Sequence, residues 1–155
     1  MKITEKPYPK AKKVAKPRNL WCINFEWMYG DADGEVVSNY TYDTEAEFLK
    51  AYNRLKSILD FEEYDHNSMV DLAGRGTTLA EFKKNEYGYF NQETIDRVEK
   101  LLDGCQSLSE VIQRDVGDVE RDITCGGDCL AHPESINEMF RYDKAGNKLK
   151  LTITK

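Results

Sequence analysis

The stretch from Leu20 to Leu59, LWCINFEWMYGDADGEVVSNYTYDTEAEFLKAYNRLKSIL, decides the fold. Trp21, Ile23, Phe25, Trp27 and Tyr29 fall on one side of a two-residue period, and Leu20, Cys22, Asn24, Glu26 and Met28 fall on the other. Successive side chains of a strand point to opposite faces, so the pattern reads as a strand with one aromatic face. Gly30-Asp31-Ala32-Asp33-Gly34 turns the chain, and Glu35 to Tyr42 resumes with Val36, Val37, Tyr40 and Tyr42. A β-hairpin is expected. Its aromatic face needs cover, and the next segment supplies it. Thr44 and Glu47 have capping-box spacing, in which each side chain satisfies an orphan amide at a helix start. Phe48, Leu49, Tyr52, Leu55, Ile58 and Leu59 then recur at helical spacing, predicting a helix from about Glu45 to Leu59 packed on the hairpin.

Beyond this unit, residues 60–77 are acidic and then glycine-bearing, and read as a long irregular connection. A shorter helix is expected from Thr78 to Asn85. Asn91 caps a further helix through Ile95, Val98, Leu101 and Leu102, with Gly104 placed to end it. A second capping box, Ser107 with Glu110, starts a helix carrying Leu108, Val111, Ile112 and Val116. Residues 117–134 read as glycine-interrupted loop. A second hairpin closes the chain: Ile136, Glu138, Phe140 and Tyr142 alternate, 143–147 turns, and Leu149, Leu151 and Ile153 alternate with Lys148, Lys150, Thr152 and Thr154. That last strand, apolar on one face and basic on the other, is expected to border solvent. The fold class is α+β: an N-terminal β-hairpin packed by a helix, central helices and a C-terminal β-hairpin. The hairpins share one sheet or lie in two, with three or four helices over one side.

The 155 residues suit one domain able to build its own core. Charged residues make up 32%, above the roughly 25% of an average soluble chain, and no apolar run approaches the ~20 residues of a membrane span. The net charge of -6 hides an asymmetry: residues 1–18 carry seven cations and one carboxylate (+6), leaving -12 on the rest. Residues 1–18 are therefore read as a basic extended arm, disordered or docked, and residues 19–155 as a single acidic α+β domain. Pro7, Pro9 and Pro17 keep helix and sheet from running through the arm. Four cysteines are too few for a disulfide scaffold of this length. With no basic-then-apolar leader, a cytoplasmic setting with mostly free thiols is expected.

The metal candidate is Cys125-Gly126-Gly127-Asp128-Cys129-Leu130-Ala131-His132. Two thiols and an imidazole suit zinc, with a fourth ligand to come from Cys105, Cys22 or His66. The plain alternative is a loop with incidental thiols, in which case no cofactor is bound. Leu72 to Thr78 sets two glycines and Arg75 before a helix start, a weak phosphate cradle lacking the lysine of a nucleotide loop. No catalytic signature is present. The carboxylates Asp60, Glu62, Glu63, Asp65 and Asp71 form a cluster that reads as a solvated acidic face or as a phosphate mimic.

Two surfaces remain for partners. Lys10, Lys12, Lys13, Lys16 and Arg18 could meet phosphates or an acidic cleft. Tyr87, Tyr89 and Phe90 offer large contact area with few rotors to freeze. Small, acidic and tyrosine-rich with a lysine-proline arm, the chain is similar in general character to the accessory proteins bacteriophages direct at host machinery. The likeness covers no motif and transfers no residue. The expected function is a small cytoplasmic binding protein, an inhibitor or adaptor occupying a protein partner's surface, with no membrane contact. The alternatives are a nucleic-acid-associated protein using residues 1–18, or a small zinc-dependent enzyme.

Overall fold

The computed structural model describes residues 1–9, 20–29, 35–117 and 131–155. The predicted turn at 30–34, the arm cations Lys10, Lys12, Lys13, Lys16 and Arg18, and Cys125 and Cys129 lie outside the described residues. The elements run β1 (Lys2–Pro7), β2 (Trp21–Tyr29), β3 (Glu35–Tyr42), α1 (Glu45–Tyr64), α2 (His66–Ala73), α3 (Leu79–Lys84), α4 (Gln92–Leu102), α5 (Leu108–Asp115), β4 (Ala131–Tyr142) and β5 (Lys148–Thr154). The class is α+β, and both hairpins share one antiparallel sheet of order β1-β5-β4-β2-β3.

The aromatic alternation does what its period requires. Trp21, Ile23, Phe25 and Trp27 are all buried, as are Tyr40 and Ser38, which lie across from Ile23 and Phe25 in β3. Phe48, Ala51, Leu55, Ile58 and Phe61 give α1 a buried stripe at helical spacing, laid over β2, β3 and β4. The Trp21 and Phe48 ring centroids are 5.3 Å apart. Burying each such side chain contributes roughly 1.5–3 kcal/mol, so this helix-on-hairpin contact is a large apolar source of stability.

The helix starts follow their caps. Thr44, Thr78, Asn91 and Ser107 each accept from the backbone N–H three residues on. At the end of α4 it is Asp103 that takes the left-handed conformation (φ 46°), with Gly104 following at φ 88°, so the stop lies one residue before the glycine.

Three expectations need correction. Residues 60–77 are not irregular throughout, since α1 continues to Tyr64 and α2 occupies His66–Ala73. Asp65 makes both possible: its N–H closes α1 on the Phe61 carbonyl, and its carboxylate caps α2 by accepting from the Ser68 N–H. Residues 131–134 belong to β4, so the strand reaches the far end of β2, where Ala131 faces Tyr29. Pro133 lies inside it, buried opposite Trp27, beside one of the register shifts of the β2–β4 ladder. A bulge is where a central strand tolerates a residue without an N–H. Finally, sheet does enter the arm: Pro7 ends a strand, β1, while β5 keeps its polar face to solvent and its apolar Leu151 buried, as expected. β1 pairs along β5 from Lys2 opposite Thr154 to Pro7 opposite Leu149, and β5 meets β4 over only Phe140–Tyr142.

Candidate functional site

α3 ends at Asn85, held in the left-handed region at φ 45°, a conformation Asn tolerates better than most residues. From there the chain makes a closed loop. The Asn85 side chain donates from Nδ2 to the Phe90 carbonyl at 2.8 Å, and its Oδ1 accepts from the Phe90 N–H at 3.1 Å. Gly88, at φ 66°, donates its N–H to the Asn85 carbonyl at 3.0 Å. Phe90 turns inward and packs on Phe82, ring centroids 4.5 Å apart, before Asn91 caps α4.

This clamp fixes where the remaining two rings go. Tyr87 is 73% exposed and Tyr89 80%, more than any other large hydrophobic side chain among the described residues. Their centroids are 5.5 Å apart with an interplanar angle of 31°. Of the three residues predicted as one anchor, Phe90 is therefore a foot in the core and only the two tyrosines are presented to solvent. Nearby cations are matched: Lys83 pairs with Glu99 at 2.7 Å, and Lys84 lies 3.9 Å from Glu86.

The start of the arm is docked. Tyr8 donates its hydroxyl to Glu138, its N–H donates to the Lys148 carbonyl, and the Lys148 ammonium lies 4.5 Å from the Tyr8 ring and 4.2 Å from that of Phe140. Lys148 also pairs with Glu138 at 3.2 Å. Burial, then the Glu138 carboxylate, push the Tyr8 hydroxyl well above its ordinary pKa. Glu5 receives two hydrogen bonds from Arg141, at 2.5 and 3.0 Å. The Tyr8 ring and hydroxyl are thus both occupied within the fold.

His132, at the start of β4, meets His66, the rings standing 5.1 Å apart edge to face. His66 Nδ1 in turn contacts Glu62. Cys22 is buried at the other end of β2 opposite Phe140, where burial pushes its thiol up to about 11, and Cys105 is half-buried after α4. Arg75 pairs with Asp71 at 2.9 Å, and the glycine stretch beside it ends in the Thr78 cap of α3.

The acidic cluster is largely consumed. Asp60 pairs with Lys56, Asp65 caps α2, and Asp71 holds Arg75. Burial outweighs Arg75 at Asp71 and raises its pKa. Asp115 lies in an ion cluster with Arg54, Arg114 and Lys50, which line open clefts beside α1. No described helix is long and apolar enough to cross a membrane. No protein-family model matches this chain, and neither does any curated protein or solved structure.

Proposed function

We propose that this is a binding protein that docks on a protein partner through the 85–91 loop, with Tyr87 and Tyr89 as its anchors. The observation that carries the reading is the pairing of extreme exposure with a fixed backbone. Large amphipathic rings on a loop already held by Asn85 lose little freedom on binding, so more of their contact energy becomes affinity. Tyrosine is among the residues enriched at interface centres for this reason. A protein surface suits the loop better than a polyanion, because Lys83 and Lys84 already face carboxylates and the body beyond residue 18 carries -12. In this reading the protein works as an inhibitor or adaptor.

The test is affinity capture from lysate, with and without nuclease treatment. It compares the full chain, the Tyr87→Ala/Tyr89→Ala double variant, and a variant with Lys10, Lys12, Lys13, Lys16 and Arg18 changed to Gln. A stoichiometric protein partner is expected, with affinity reduced on the order of 30-fold or more by losing even one anchor of about 2 kcal/mol. Capture that disappears with nuclease and with the five arm cations, yet ignores the tyrosines, would replace this reading with phosphate binding by the arm.

A further inference from the structure

Glu62, His66 and His132 come from three separate elements, and one ligand atom from each lies within 4.8 Å of the other two. Glu62 is in the last turn of α1 and His66 is the first residue of α2, four positions on. The helix break at Asp65 leaves the two on the same side, with His66 Nδ1 against Glu62 Oε1. His132 reaches them from β4, one residue before Pro133. Its Nδ1 is 3.4 Å from the Pro133 carbonyl, so with the proton on Nδ1 the other ring nitrogen is left for a ligand.

We propose that these three side chains bind a first-row transition-metal dication, zinc foremost. Two imidazole nitrogens and one carboxylate oxygen form a borderline donor set that suits zinc, cobalt, nickel or copper, whereas calcium and magnesium select oxygen. Ligand bonds of about 2.0–2.2 Å around a tetrahedral ion put ligand atoms roughly 3.4 Å apart. The site must therefore adjust: ligand atoms up to 4.8 Å apart close by as much as about 1 Å, while the Glu62–His66 contact opens to admit the ion. Its members allow that, since the His66 side chain is 54% exposed and that of Glu62 22%. Binding replaces the Glu62–His66 contact with two bonds to the ion. Three protein ligands leave a coordination position for water or another donor, the composition of an open site rather than a closed structural one.

The experiment uses the full chain, stripped with chelator and titrated with zinc against a chromophoric competitor, then with cobalt while the visible spectrum is recorded. One equivalent of zinc per chain is expected, with a cobalt spectrum free of thiolate charge-transfer absorption. His66→Ala and His132→Ala should each weaken binding by more than about tenfold, the lower end of what losing even an outer-shell partner costs. Circular dichroism establishes that both variants are folded, and His66, being exposed, is the safer of the two. A thiolate band, binding undiminished in both histidine variants, or less than one equivalent in the full chain would overturn the site. Because Tyr87 and Tyr89 belong to another loop, their substitution leaves zinc affinity unchanged, and the two proposals fail or stand separately.

Discussion

Asp115, at the end of α5, takes a hydrogen bond from Arg54 at 2.9 Å and two from Arg114 at 2.8 Å, with its side chain only 7% exposed. Arg54 spends another N–H on the Leu101 carbonyl, which ties α1 to α4 through the same guanidinium. Hydrogen bonding from Arg114, then from Arg54, holds the Asp115 carboxyl well below its ordinary range despite desolvation. Replacing it by Asn leaves Arg54, itself 14% exposed, with only the exposed Asp103 carboxylate at 3.5 Å, and is expected to cost roughly 2–3 kcal/mol. The sign of the pH dependence follows from the direction of the shift. A carboxylate with a depressed folded-state pKa stabilises above its unfolded value of about 4 and loses that contribution as pH falls below it. The wild-type advantage over Asp115→Asn in urea midpoint should be full at pH 6 and shrink steadily below pH ~4. A gap independent of pH would mean that packing, and not ionisation, sets the role of Asp115.

Among the elements, those with strong periodicity or a cap were legible. The aromatic alternation of β2, the stripe Phe48–Ile58 and the caps Thr44, Asn91 and Ser107 each state a local rule that the packing did not override. α2 was hidden because Asp65, amid acidic neighbours, reads as loop while it ends one helix and starts another. β1 was hidden because Ile3 is its one apolar strand residue before Pro7, and what places it is the open edge of β5 at the other end of the chain. The candidate metal cluster was half legible. His132 was singled out and His66 named as one ligand to complete its site, but their meeting depends on β4 beginning at Ala131. The docked β1 also changes how the arm must be tested, because deleting residues 1–18 removes a strand along with the cations. Deletion of residues 1–9 alone should leave Leu151 and Ile153 on an unpaired edge, and an exposed strand edge recruits other chains. Light scattering should then show concentration-dependent self-association absent from the full chain. A monodisperse deletion variant would mean that β5 needs no cover.

For the whole molecule, the sheet order brings the two ends of the chain side by side, with Lys2 opposite Thr154. The helices between them are local structures, but the sheet closes only when residues separated by nearly the full length pair. Such non-local pairing slows folding, since loop-closure entropy is lost before contacts reward it. The two sides of the sheet also differ in depth. β2 and β4 lie under the helices, whereas β1 is exposed along most of its length and rests on β5, the latch at Tyr8 and the Glu5–Arg141 pair. A strand with so little buried apolar surface should open without the rest of the domain. Hydrogen exchange should therefore find the backbone amides of β1 opening at a free energy well below that of β2, whose amides exchange only on global unfolding. Tyr8→Phe removes the donor to Glu138 and should lower the β1 opening free energy further, by about 1 kcal/mol, while β2 is unmoved. If β1 and β2 exchange at the same free energy, and Tyr8→Phe shifts both, the N-terminal strand is part of the cooperative core and the latch holds the whole sheet.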